Sequence, residues 1–125
     1  MKIIGIVGLK NSGKTYFVEK IIKKLTLLNL RVASIKHAHH DFDIDLPNTD
    51  SYIHRKAGSE QVIISSSKRW AKIIELKKNK KEKNLNDLIF ELDKPDIVVV
   101  EGYKNEKHPK IEIIKDPSNS SLYLF

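Results

Sequence analysis

The stretch Gly8-Leu9-Lys10-Asn11-Ser12-Gly13-Lys14-Thr15 constrains the fold of this chain more than any other. It meets G-x-x-x-x-G-K-[ST] at every fixed position and lies between segments of different periodicity. Before it, Ile3, Ile4, Ile6 and Val7 make a nearly continuous apolar run, as in a parallel strand covered on both faces. After it, Phe17, Val18, Ile21, Ile22, Leu25 and Leu28 recur at helical spacing. Strand, glycine loop and helix therefore follow in order. Gly8 and Gly13 permit backbone torsions that other residues resist, so successive N–H groups can point at phosphate oxygens. The helix N-terminus behind them adds its partial positive charge. In this reading Lys14 reaches the terminal phosphates and is the catalytic cation, and the Thr15 hydroxyl sits on Mg²⁺. Asn11 and Tyr16 complete the cradle, with Lys10 and Ser12 as further phosphate contacts.

A phosphate site also needs a carboxylate near the metal, at the end of another buried strand. Asp96-Ile97-Val98-Val99-Val100 is such a strand and ends in Glu101-Gly102. Glu101 is the candidate metal ligand and water-positioning carboxylate, and Gly102 allows close approach of the chain. Between these two strands, Asn29 can end the first helix and Arg31 to Ile35 start a second strand. A short helix over Asp50 to Lys56 ends at Gly58. Gln61–Ser65 and Trp70–Leu76 read as two strands joined by the turn Ser66 to Arg69. Leu85, Leu88, Ile89 and Leu92 form a further helix with Asn84 as its cap. Helices alternating with buried strands predict an α/β fold with a mostly parallel sheet, helices on both faces and a hairpin extension. Ligands bind outside the carboxyl ends of such strands.

With 125 residues, no internal repeat and no composition shift, the chain reads as a single nucleotide-binding domain, residues 1–125. No apolar run approaches the ~20 residues that span a bilayer, and the N-terminus lacks the features of a signal peptide. A cytoplasmic protein without a membrane partner is expected. There are no cysteines, so thiolate metal sites and disulfides are excluded. The net charge of +7 is concentrated in the lysine run from Lys77 to Lys83. Without interleaved aromatics, such a run reads as a solvated loop and not as a nucleic-acid interface.

In collinear order, GLKNSGKT, IKHAHHDFDID, TDSYIHRKAGS, VVVEGYK and HPKIEI make the chain resemble the molybdopterin-guanine dinucleotide biosynthesis adaptor family, MobB, over about residues 2–115. The resemblance implies a P-loop NTPase-like three-layer sandwich, GTP with Mg²⁺ as cofactor, slow hydrolysis and a homodimer. It also implies a partner, the guanylyltransferase that joins GMP to molybdopterin. Three departures bear on this. Asn48 stands where members often carry glycine, the chain stops at Phe125 where members usually continue with another helix, and no [NT]KxD guanine-reading motif occurs.

The decapeptide Lys36 to Asp45, KHAHHDFDID, holds three of the five histidines and three aspartates. His37 and His39 with Asp41 or Asp43 could form a zinc site, though no second cluster supports it. A plain solvated turn is the bland alternative. The leading reading is a rim loop that contacts nucleotide, Mg²⁺ or molybdopterin. There Lys36, His37, His39 and His40 donate to anionic groups and Asp41 or Asp45 holds the metal. Phe42 and Ile44 are expected to anchor this loop to the core. Asp50, Ser51, Lys104 and Lys110 join the same surface by resemblance alone. Arg55 and Arg69 are the candidates for an arginine finger. The rival functions are a small-molecule kinase, which three arginines serve poorly, and a metal-insertion GTPase. Leu122 to Phe125 is expected to form a last strand or an apolar patch covered by a second subunit.

Overall fold

The structure, a computed structural model, describes residues 1–38, 41–76, 78 and 80–115. The chain forms two compact units, residues 1–39 with 84–125 and residues 40–83, a division that the sequence pattern does not mark.

The first unit is built on a four-stranded sheet in the order β2-β5-β1-β6. Its strands are β1 (Lys2–Gly8), β2 (Val32–Lys36), β5 (Ile97–Glu101) and β6 (Lys110–Ile113), and every pairing is parallel. The register sets Ile6 opposite Glu101, Lys36 opposite Glu101, and Gly8 opposite Ile113. The carboxyl ends of β1, β2 and β5 therefore share one rim. On one face, α1 (Lys14–Leu27) packs Val18, Ile21, Ile22 and Leu25 against Ile6, Val99 and Ile113. On the other, Leu85 and Ile89 of α3 (Leu85–Phe90) pack against Val98 and Val100, with Ile3, Ile35 and Tyr103 beside them. This is the expected three-layer arrangement, and it explains why β1 and β5 lack polar alternation: Ile6, Val98, Val99 and Val100 are all fully buried. Burial of each such side chain contributes about 1.5–3 kcal/mol before entropic costs are set against it.

Local signals hold these elements in place. Asn29, at φ 61°, ends α1 in the left-handed conformation that asparagine tolerates. The Asn84 carboxamide accepts the Asp87 N–H at 2.9 Å, so the anticipated cap of α3 is present. Arg31 donates its backbone N–H to Asp96 and its guanidinium to the carbonyls of Lys94 and Asp93, which ties the start of β2 to the entry of β5. β6 is an element that the sequence pattern did not reveal. Its four residues alternate charged and apolar, and its pairing with β1 is remote in sequence.

The second unit contains α2 (Asp50–Lys56) and an antiparallel hairpin of β3 (Gln61–Ser65) and β4 (Trp70–Ile74). β4 ends at Ile74, two residues earlier than expected. Val62 is buried, whereas Ile63, Trp70 and Ile74 share the opposite face by register and stand exposed. Arg55 of α2 organises the unit. Its side chain is 8% exposed and meets Asp43 at 2.9 Å, Asp45 at 2.5 Å and Glu75 at 2.8 Å. This cluster corrects the expectation for the decapeptide's exit. Phe42 and Ile44 are 68% and 72% exposed and anchor nothing to a core. Ion pairing of Asp43 and Asp45 with Arg55 fixes that segment instead. Leu122 to Phe125, the proposed last strand or patch, lies outside the described residues.

Candidate functional site

The glycine loop leaves β1 at Gly8 and enters α1 through Gly13, whose φ of 95° is left-handed and unfavourable for any residue with a side chain. Asn11 also has positive φ, 63°, and the Ser12 N–H bonds back to the Leu9 carbonyl at 3.1 Å. Gly8 is required for a different reason, close approach. A Cβ there would lie 2.7 Å from Ser12 Oγ and 2.8 Å from the Ile113 carbonyl oxygen. The loop thus packs directly on β6.

What the loop leaves exposed is a set of donors. The Phe17 N–H bonds to the Gly13 carbonyl at 3.2 Å, so the N–H groups of Lys14, Thr15 and Tyr16 precede the first helical bond. No side chain caps this end of α1, and no acidic residue lies in its first turn. Such a terminus carries uncompensated partial positive charge. Among the described residues, the Lys14 ammonium and the Thr15 hydroxyl have no side-chain hydrogen-bond or ion-pair partner, and Ser12 Oγ is buried without one. An oxyanion ligand would satisfy all of these groups together.

Glu101 ends β5 beside Ile6 of β1. Val98 and Val100 face α3 and Val99 faces α1, so alternation puts Glu101 on the face of α1, the helix that carries Thr15. Its carboxylate is half-buried and makes no ion pair among the described residues. A carboxylate and a hydroxyl, both unpaired and on one face, fit a divalent cation with a partly aqueous shell. No cluster of three His, Asp or Glu side chains with metal-holding geometry occurs among the described residues.

A cavity of about 370 Å³ opens at the rim, lined by Gly8, Lys14, His37, Gly102, Tyr103 and Lys104 among others. The His37 N–H bonds to the Glu101 carbonyl at 2.9 Å and its ring stacks on Tyr103, with centroids 4.4 Å apart and planes 19° from parallel. Gly102, at φ 98°, makes this packing possible: a Cβ on it would lie 2.9 Å from that of His37. Tyr103 follows at φ 53°, so two successive residues hold left-handed torsions, which is costly for tyrosine. The structure therefore brings Gly8, Lys14, His37 and Gly102 to one cavity, and the exposed residue Lys36 ends β2 one residue before His37 at the same rim. Tyr103, of the motif VVVEGYK, joins them.

Asp41 and Asp45 belong to the second unit, and Asp45 has both carboxylate oxygens on Arg55. That pairing holds the Asp45 carboxyl below its ordinary range, first through the Arg55 hydrogen bonds, and it commits Arg55 to a structural cluster. Neither residue is thereby available as a simple metal ligand or a mobile arginine finger. Asp41 is exposed, and Arg69 closes the hairpin turn through its backbone. His39 and His40 lie outside the described residues. His108 is half-buried against Gly5 with both ring nitrogens unbonded, and burial, reinforced by Lys110, pushes its pKa down.

Residues 3–125 match the MobB family, Molybdopterin guanine dinucleotide synthesis protein B. The chain belongs to the MobB family. Among MobB relatives, the Molybdopterin-guanine dinucleotide biosynthesis adapter protein of Haemophilus influenzae is 40% identical over 87% of this chain and 61% of its own length. That of Escherichia coli is 38% identical over 91% of this chain and 66% of its own length. The chain thus spans about two thirds or less of these MobB relatives. The crystal structure of Bacillus subtilis MobB, 24% identical, superposes with a TM-score of 0.77 over 94% of this chain and 71% of that one, which confirms the fold. Asn48 has φ 67°, a left-handed torsion that asparagine tolerates.

Proposed function

We propose that this chain is a GTP-binding adaptor in the assembly of molybdopterin guanine dinucleotide, with at most slow GTP hydrolysis. The observation that carries this reading is the uncapped, acid-free N-terminus of α1 beside the unpaired Lys14, a site whose donors are met by a polyphosphate. Thr15 and Glu101 would hold Mg²⁺, which when bound neutralises charge developing between the outer phosphates. Lys14 stabilises the same charge from the loop, and Glu101 can orient an attacking water. Gly8, Lys10, Asn11, Ser12 and Gly13 shape the cradle, and Tyr16 follows it in the first turn.

The cavity beside Lys14 is the place for an anionic second ligand. His37 and Lys104 supply donors there, and the stacked His37 and Tyr103 rings supply a planar wall. Molybdopterin, with its phosphate and ring system, has matching chemistry, and the guanylyltransferase is the partner to which the adaptor delivers. No helix among the described residues is long and apolar enough to cross a membrane. The hairpin face of Ile63, Trp70 and Ile74 offers a surface for a second copy and supports a homodimer.

Calorimetric titration of Mg·GTP into the wild type and into Lys14→Ala tests the reading. Saturable binding weakened at least tenfold by the substitution supports it. Equal affinity in both proteins, or none in the wild type, defeats it.

A further inference from the structure

A second cavity, of about 350 Å³, flanks the glycine loop on the side of β6. Leu9, Lys10, Asn11 and Ser12 line it from the loop, and Glu112, Ile113, Ile114 and Lys115 line it from β6 and its exit. The chain offers no [NT]KxD motif, so nothing in its sequence pattern assigns a base-reading group. We propose that this cavity receives the base of the nucleotide and that Glu112 selects guanine. The proposal rests on the reading of the glycine loop as a triphosphate site.

Position is the first argument. Gly8 pairs with Ile113 and Val7 with Glu112, so the carboxylate is one register step from the start of the loop. The absent side chain at Gly8 lets the loop approach β6 within contact distance. Lys10, Asn11 and Ser12 belong to both the phosphate cradle and this cavity. A nucleotide whose phosphates lie on the cradle thus has a contiguous hollow for its nucleoside. The volume lies within the range of small-ligand sites, roughly 300–1,000 Å³.

Chemistry is the second. The walls from Leu9, Ile113 and Ile114 are apolar, and Leu9 and Ile114 are half exposed, as side chains that cover a flat ring would be in the free protein. Against them stand half-buried Glu112, one carboxylate oxygen of which is closed off from solvent, two lysines and the Ser12 hydroxyl, which is buried without a hydrogen-bond partner. Guanine presents two donors side by side, N1–H and the 2-amino group, and an acceptor at O6. A carboxylate accepts from both donors, and a lysine or the Asn11 amide donates to O6. Adenine presents an acceptor at N1 and a donor at the 6-amino group, and so meets like with like at both places. A site built to hydrogen-bond one edge rejects the other by leaving its own polar groups unpaired.

The test measures binding of Mg·GTP, Mg·ITP, Mg·ATP and inorganic triphosphate to the wild type and to Glu112→Gln. In the wild type, GTP binds on the order of 100-fold more tightly than ATP. ITP, which lacks the 2-amino group, falls roughly tenfold below GTP. In Glu112→Gln the ratio of GTP to ATP drops at least tenfold, while inorganic triphosphate binds as it does to the wild type, which also shows that the loop has folded. Equal binding of GTP, ITP and ATP to the wild type overturns the assignment whatever the variant does. So does a variant that keeps the wild-type ratios, in which case Glu112 serves only to pair nearby lysines. Failure of the wild type to bind inorganic triphosphate or any nucleotide defeats the glycine-loop reading itself, whereas triphosphate binding without base preference defeats only the assignment of the base cavity and Glu112.

Discussion

Gly102→Ala is the substitution for which the structure predicts the largest effect from one added methyl group. Gly102 has φ 98°, and its N–H bonds to the Ile6 carbonyl at 3.1 Å, so its backbone cannot rotate without loosening β5 from β1. Holding an alanine in a left-handed torsion costs about 1–2 kcal/mol. The new Cβ would also lie 2.9 Å from that of His37, so the pair must separate by about half an ångström to reach ordinary contact. Overpacking of this kind costs about 1–3 kcal/mol. The two together give about 2–5 kcal/mol. A folding unit of this size shifts in Tm by roughly 4–8 °C for each kcal/mol, so even the lower bound lowers the melting temperature by about 8 °C. The assay is thermal unfolding followed by circular dichroism, with NMR of the His37 and Tyr103 ring protons to show whether their stack has opened. Gly102→Asn separates the two causes, because asparagine tolerates the torsion but still carries the Cβ. A Gly102→Ala protein that melts within about 2 °C of the wild type, with the ring shifts unchanged, would refute the account of this turn.

Three further outcomes follow from the same geometry. Asn84→Ala removes the acceptor for the Asp87 N–H at the start of a six-residue helix and should cost about 1 kcal/mol, read by denaturant unfolding with an unchanged m-value. Asp45 is held ionised by Arg55, so its native pKa lies below its unfolded value of about 3.8. The stabilisation is complete above that unfolded value and is lost as the pH falls through the depressed native one. Asp45→Asn should therefore flatten the acid limb of the second unit's stability, measured by hydrogen exchange at pH 2–5. Lys14→Ala should leave the melting temperature of the free protein within about 2 °C of the wild type, because Lys14 has no side-chain partner among the described residues to lose.

The sequence carried the parts of this molecule that depend on local chemistry. The glycine loop was legible because glycine torsion, an apolar strand and a helical repeat all coincide within residues 3–28. Asn84 was legible as a cap because its side chain bonds three residues ahead, and the hairpin because two β-branched runs flank a short polar turn. What stayed hidden depends on contacts between remote residues. β6 is four residues long with two charged side chains, and its role as a sheet member comes from pairing with β1 about a hundred residues earlier. Glu112 was consequently invisible as a site residue, since only that pairing sets it beside Ser12. Phe42 and Ile44 misled for the converse reason: apolar residues in a polar loop suggest anchors, but the three-carboxylate grip on Arg55 fixes the segment without them. Tyr103 lies within VVVEGYK, yet its place in the cavity follows from the left-handed turn at Gly102, which a sequence does not display.

The proposed function requires a nucleoside triphosphate to lie on the N–H groups at the start of α1. Amide chemical-shift mapping of the ¹⁵N-labelled protein during titration with Mg·GTP tests it most directly. The account predicts that the largest shifts, saturating together, fall on Asn11, Gly13, Lys14, Thr15 and Tyr16, with smaller ones at His37 and Gly102. Saturable shifts that leave residues 11–16 in place and move another surface would contradict it.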